Sequence, residues 1–218
     1  MRIRINVNIA VNRVVKYFVL SDLFLLAGWG LIDPVFSIFI IQRITGATLV
    51  SVGIAAGIYW ILRSALQVPI AKYLDRVPGE KDDFHVLVIG LVIAGFSAFL
   101  FALVKNVWAL YLVQAVRALA FALYGAAWPS IFSRHLDKER VSFDWTVDSV
   151  AVGVAAGISG FIGGILADKF GFDAVFILGA ALSLLAALAL MSVPDLVIPK
   201  DTTRESSMQD HRPGNIGV

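Results

Sequence analysis

The sequence predicts an all-α integral membrane protein with six transmembrane helices. Hydrophobic residues make up 59 % of the 218 residues and charged residues only 16 %. A soluble domain carries about 25 % charged residues. The apolar residues also fall in runs close to the roughly 20 residues that a helix needs to cross a bilayer. This composition excludes disordered, collagen-like and nucleic-acid-binding proteins, and the first expected partner is the lipid bilayer.

The two ends of the chain differ from its middle. Residues 1–16 are basic and lack the apolar core and cleavage site of a signal peptide, so we predict a cytoplasmic lead-in. Residues 17–193 form the predicted transmembrane bundle. Residues 194–218 are polar without apolar periodicity, and we interpret them as a disordered cytoplasmic tail. Such a tail either follows a protein of six spans or begins a linker to a second half.

Six apolar segments are each long enough to cross the bilayer as one helix. In chain order they are residues 17–41, 48–74, 84–104, 107–132, 146–167 and 172–193. If the N-terminus is cytoplasmic, 13 of the 18 Lys and Arg residues lie on the inner side and 3 on the outer side. This bias follows the positive-inside rule. We therefore expect a multi-pass protein of the cell (inner) membrane with both termini in the cytoplasm.

The sequence offers little for enzymatic or metal chemistry. It has no cysteine, and its three histidines lie far apart in loops or at span ends. A metal site or disulfide is therefore not expected. No paired histidines, Ser–Lys dyad or phosphate-binding glycine loop stands in a plausible setting. We expect neither an enzyme nor a bound cofactor.

Short internal matches suggest that the bundle consists of two related halves. Residues 52–58 (VGIAAGI) are similar to residues 152–158 (VGVAAGI), and Pro34 of span one corresponds to Pro129 of span four. With short loops, two three-helix units must have opposite orientations, as in the inverted repeats of secondary transporters. The spacing of small residues also predicts close helix packing. The pairs concerned are Gly53 with Gly57, Gly153 with Gly157, and Gly160 with Gly164.

The loop after span two carries the most specific motif. Residues 71–81 read AKYLDRVPGEK, which resembles the pattern Gly-x-Leu-Ala-Asp-Arg-x-Gly-Arg-Lys of the major facilitator superfamily. Asp75, Arg76, Gly79 and Lys81 match, with one inserted residue. The resemblance covers residues 14–193 and implies the N-terminal half of that twelve-helix fold. It also implies that these four residues form a conformational gating loop, in which the aspartate interacts with the opposite half.

Two further segments share features with the family. Arg117 and Pro129 match its buried arginine and later proline in span four, which implies a part for Arg117 in proton coupling. Residues 159–164 (SGFIGG) are similar to the antiporter pattern Gly-Pro-x-x-Gly-Gly, but Ser159 and Gly160 replace its first two residues. The departure counts against an antiporter.

Ionisable residues within spans are costly and by default suggest a function. Asp22 and Asp33 lie three helical turns apart on one face of span one, which Trp29 shares. Arg63 and Arg117 lie within spans two and four and need a partner, for which Asp33 is the natural candidate. The alternative interpretation of Asp22 is a solvated charge near the cytoplasmic end of span one.

A structural ion pair or a water-filled solute cavity each explains these charges. We hypothesise that Asp33 and Arg117 line such a cavity, where protonation of Asp33 or a charged substrate alters their pairing. Trp29 and Tyr124 are candidates to contact an amphipathic or cationic substrate, or else packing residues. We interpret Asp144 and Asp148, at the start of span five, as solvated loop charges, with a gating interaction with Arg76 or Lys81 as the alternative.

The predicted function is secondary active transport of a small solute by alternating access. One six-helix unit supplies only one wall of such a cavity, so we expect a homodimer. Coupling of this transport to a proton gradient is left open by the sequence. The alternatives are a non-transporting scaffold or regulatory module, and an isolated half of a twelve-helix transporter. The small-molecule substrate itself is not predicted.

Overall fold

A computed structural model describes residues 13–76, 80–136 and 140–192. Within these residues the chain forms six helices, each long and apolar enough to cross a membrane. They are α1 (Arg13–Arg43), α2 (Leu49–Leu74), α3 (Lys81–Leu103), α4 (Val107–Arg134), α5 (Val141–Phe170) and α6 (Phe172–Met191). The predicted all-α fold with six spans is confirmed.

Local sequence explains where the helices begin and turn. Thr48 and Ser51 form a capping box at the start of α2, and the Asn106 side chain accepts from the Ala109 N–H at the start of α4. Gly171, at φ 81°, provides the left-handed turn between α5 and α6. Most helices extend a few residues past their apolar segments, because helical hydrogen bonding continues beyond the hydrocarbon edge.

The largest extensions lie at the starts of α1 and α5. Residues 13–16 of the predicted lead-in are helical, and Val15 is fully buried. The rest of the lead-in, residues 1–12, and the predicted tail lie outside the described residues. The start of α5 at Val141 brings Asp144 into the helix that already contained Asp148, and the two residues are 3 % and 7 % exposed. The interpretation of these two aspartates as solvated loop charges is therefore wrong.

The helix contacts are symmetric between the two halves of the chain. α1 packs mainly against α5 and α6, α4 packs mainly against α2 and α3, and α3 packs against α6. Exchanging α1, α2 and α3 for α4, α5 and α6 leaves this pattern unchanged. It is the arrangement that two inverted three-helix units predict.

Polar contacts link the loops at each end of the bundle. At one end, the Thr45 N–H donates to the Lys105 carbonyl at 3.1 Å, and Arg43 pairs with Asp173 at 3.3 Å. These residues follow α1, α3 and α5, which the charge pattern assigns to the outer side. The α2–α3 and α4–α5 loops lie at the opposite end.

Close helix crossings occur mostly at glycines that do not belong to the predicted pairs. The backbones of Gly28 in α1 and Gly179 in α6 meet so closely that a Cβ on Gly28 would lie 2.9 Å from the Gly179 oxygen. A Cβ on Gly163 in α5 would overlap the Leu31 carbonyl of α1. By contrast, glycines of the predicted pairs in α2 and α5 have open space where a Cβ would be. These are Gly53, Gly57, Gly153, Gly157 and Gly164. Of the six glycines in the predicted pairs, Gly160 approaches Pro34 of α1, whereas the other five meet no described helix, so the predicted close packing is not found at those five within the described residues.

Candidate functional site

A cavity of about 380 Å³ lies between α1, α2 and α4, the helices that carry the charges predicted within spans. Asp33, Arg63, Arg117 and Trp29 line it. Most of the remaining wall is apolar, and its aromatic side chains are Phe36, Tyr59, Trp60 and Phe121. An apolar pocket with a few polar groups is the usual composition of a small-molecule site.

Helix α4 places Arg117 directly opposite Asp33 of α1. The Arg117 Nη2 donates to the Asp33 Oδ1 at 2.7 Å. The guanidinium carbon also lies 4.1 Å from the ring centre of Trp29 and 4.5 Å from that of Tyr59. A buried arginine keeps its charge, so the carboxylate and the two rings together compensate it. The Asp33 side chain is 57 % exposed, against 9 % for Arg117, and so it remains reachable from the cavity.

Arg63 is the second arginine at the cavity, and it pairs with no carboxylate in the described part of the chain. Its Nη1 donates to the Tyr59 Oη at 3.0 Å. Its guanidinium carbon lies 5.4 Å from the ring centre of Trp60 and 5.6 Å from that of Phe121. The carboxylate that lines the cavity, Asp33, bonds to Arg117 and not to Arg63. One positive charge at the cavity is left without a neutralising partner.

Asp22 and Tyr124 join α1 to α4 outside the cavity wall. The Tyr124 hydroxyl donates to the Asp22 Oδ1. Asp22 is only 3 % exposed, because α1 begins at Arg13 and places it more than two turns inside the helix. The alternative of a solvated charge at the span end is wrong. Asp148 of α5 interacts electrostatically with both residues.

The predicted gating loop follows α2. Asp75 is the C-cap of α2, and its N–H donates to the Ala71 carbonyl at 2.9 Å. The side chains of Asp75, Arg76 and Lys81 are exposed and form no ion pair within the described ranges. Gly79 lies outside the described residues. A carboxylate at a helix C-terminus gains nothing from the dipole of its own helix.

The sequence did not predict an ion pair at the same end of the bundle, between a buried aspartate and an exposed arginine. Asp83 of α3 is fully buried and accepts from the Arg134 Nη1 at 2.6 Å and from the Ser130 Oγ at 3.3 Å. Glu80 lies 3.9 Å from the same Arg134 nitrogen. The available signal was an acidic residue in the first turn of α3 and a basic residue in the last turn of α4. Antiparallel neighbours bring those two turns together.

The site therefore depends on ion pairs and aromatic rings. No group of three His, Asp or Glu residues in the described ranges is placed to hold a metal ion. Six spanning helices arranged as two exchangeable three-helix units, with a charged cavity between α1, α2 and α4, are features of the inverted-repeat class of membrane proteins to which many secondary transporters belong.

The chain belongs to the Major Facilitator Superfamily, which residues 18–213 match. It is 27 % identical, over 80 % of its length, to an uncharacterised MFS-type transporter of Methanocaldococcus jannaschii, and covers 44 % of that protein. It is 26 % identical, over 77 % of its length, to the inner membrane transport protein YajR of Escherichia coli, and covers 36 % of it.

These comparisons confirm the resemblance to half of a major facilitator fold. The chain spans less than half the length of both curated relatives. Membership of a transporter family agrees with the expectation that the chain is not an enzyme.

Proposed function

We propose that this chain is the six-helix unit of a secondary transporter that moves a small solute by alternating access. The observation that carries the proposal is the Arg117–Asp33 pair at the wall of a cavity within the spanning helices. Charged groups at this depth are costly and mark solute or ion pathways by default. A purely structural pair gains most when both partners are enclosed, whereas Asp33 is exposed toward the cavity.

A second six-helix unit completes the proposed transporter, and we propose that it is a second copy of this chain. Helices α2 and α5 have the lowest buried share of their apolar stretches, at 17 % and 11 %. Their open glycines offer faces on which another helix can approach closely. The second copy would also give Asp75 an ion-pair partner, which it does not have among the described residues of its own bundle. A strictly monomeric particle that still transports would contradict the dimer.

We propose that Asp33 couples transport to a proton gradient. Protonation of its carboxyl removes the negative half of the pair with Arg117 and frees the guanidinium for a solute. Loss of the proton restores the 2.7 Å bond. In the same scheme, the loop that contains Asp75, Arg76 and Lys81 contacts the second unit in only one of the two access states.

A single thiol at the cavity tests alternating access. Ser37 lines the cavity and is exposed, and the chain has no native cysteine, so a Ser37→Cys variant carries one reactive group. We expect a membrane-impermeant maleimide to label this variant both in right-side-out and in inverted vesicles, because the cavity opens in turn to each side.

The matched control is Lys72→Cys, which places the thiol at an exposed position at the end of α2. We expect it to be labelled from one side only. Labelling of the Ser37→Cys variant from one side under every condition would contradict alternating access and favour a non-transporting module.

A further inference from the structure

We infer that the cavity binds an amphipathic organic anion, with Arg63 as its principal anion-binding residue. This inference rests on the proposed function, because it names the solute class of the same site. Its starting point is the charge of the wall. Of the charged residues that line the cavity, two are arginines and one is an aspartate. The aspartate is committed to Arg117 at 2.7 Å, and the net charge of the cavity is therefore positive.

Arg63 retains hydrogen-bonding capacity for a ligand. A guanidinium has five N–H donors, and in the described part of the chain only the bond from Nη1 to the Tyr59 Oη uses one of them. An uncompensated cation within a span is costly. A ligand carboxylate, sulfonate or phosphate can accept two parallel N–H bonds from a guanidinium and neutralise its charge.

Three buried polar atoms on residues that line the cavity have no hydrogen-bond partner in the described residues and are closed to solvent. Trp29 Nε1 and Arg117 Nε are N–H donors with no hydrogen-bond partner in the described residues. The acceptor Oε1 of Gln114 likewise has none. All three residues line the cavity and are 7 % exposed or less. Leaving such groups unpaired costs about 1–3 kcal/mol each, and a ligand would pair with them only after the side chains around them rearrange.

The aromatic wall favours an apolar body on the ligand but not a positive charge. Arg117 already lies over the rings of Trp29 and Tyr59, and Arg63 lies 5.4 Å from the ring centre of Trp60. A ligand cation would compete with these two guanidinium groups for the same rings and be repelled by both. The expectation that aromatic residues hold a cationic substrate is thus disfavoured. An aromatic anion instead gains contacts with rings and with Arg63.

Three probes of similar size separate the possible ligand charges. Benzenesulfonate is an anion, benzenesulfonamide is neutral at pH 7, and phenyltrimethylammonium is a permanent cation. Equilibrium dialysis of the purified chain against each probe measures its dissociation constant. We expect benzenesulfonate to bind at least about tenfold more tightly than the other two, as a charge-assisted hydrogen bond predicts.

Substitutions in α2 then assign the effect to Arg63. We expect Arg63→Gln to weaken benzenesulfonate binding at least about tenfold, and Arg63→Lys to weaken it less, because lysine keeps the charge but not the bidentate geometry. Lys72→Gln removes the same charge from an exposed position of the same helix and should leave binding unchanged. Binding of the neutral probe should not respond to Arg63→Gln.

Tighter binding of phenyltrimethylammonium than of benzenesulfonate, or equal benzenesulfonate binding by Arg63→Gln and Lys72→Gln, would overturn the anion site. The labelling of Ser37→Cys distinguishes this failure from a failure of the proposed function. Two-sided labelling without anion binding removes only the solute class. One-sided labelling with Arg63-dependent anion binding removes only alternating access.

Discussion

Replacing Arg117 with glutamine is expected to lower solute uptake on the order of 100-fold while the protein remains folded. The substitution removes the 2.7 Å bond to Asp33 and the contacts with the rings of Trp29 and Tyr59. Charge-assisted hydrogen bonds contribute about 1.5–3 kcal/mol, and every 1.4 kcal/mol is a factor of ten. The measurement is the initial rate of uptake into proteoliposomes, with the probe that the unaltered protein moves fastest.

Two further variants test whether the loss of uptake is specific to Arg117. Arg117→Lys keeps the charge but loses the planar stacking on the rings, so we expect an intermediate rate. Arg43→Gln breaks an exposed pair with Asp173 at one end of the bundle, where the interaction is worth less than about 1 kcal/mol, and should transport normally. If Arg117→Gln and Arg43→Gln transport equally well, the pair at the cavity has no part in transport.

A Gly163→Ala substitution is expected to destabilise the bundle by about 1–3 kcal/mol, the usual cost of overpacking. The added methyl group would overlap the carbonyl of Leu31, which is backbone and cannot move aside without shifting α1 against α5. Thermal unfolding of the detergent-solubilised protein, followed by intrinsic fluorescence, measures the loss as a lower melting temperature.

The neighbouring residue provides the control for Gly163. A Cβ on Gly164 meets nothing within 4 Å in its own chain, so Gly164→Ala should leave the melting temperature of the monomeric protein unchanged or slightly higher. Equal melting temperatures for the two variants would show that α1 and α5 do not cross as closely as described.

The number and order of the helices were predictable because hydrophobicity acts over whole segments. Each apolar run is long enough to identify one span, even where its ends are a few residues short. The ends of α1 and α5 were not predictable in this way, because polar residues there remain helical once neighbouring helices cover them. The burial of Asp22 and Asp144 was consequently not predicted.

The candidate site was predictable to a similar extent. Asp33, Arg63 and Arg117 stand out as charges within apolar runs, and the need of a buried arginine for a carboxylate pointed to Asp33. The hypothesised pairing of Asp33 with Arg117 is the contact that the structure has, whereas the rotation of α2 that keeps Arg63 from Asp33 is left open by the sequence. The same is true of the glycines, since spacing identifies a face but not the helix that covers it.

The burial of Asp83 against Arg134 shows the limit most clearly. Both residues lie at helix ends, where a sequence pattern resembles an ordinary solvated loop. Only the packing of α3 beside α4 brings them within 2.6 Å.

The proposal that Asp33 couples transport to a proton gradient is best tested by uptake under an imposed pH gradient, compared between the unaltered chain and Asp33→Asn. Asparagine keeps the size of the side chain but neither ionises nor takes up a proton, so Arg117 loses its charged partner permanently. We predict that the unaltered chain accumulates solute in proteoliposomes only with the gradient, and that Asp33→Asn loses this gradient-driven accumulation. Unchanged accumulation and unchanged pH dependence in Asp33→Asn would contradict a role for Asp33 in proton-coupled transport.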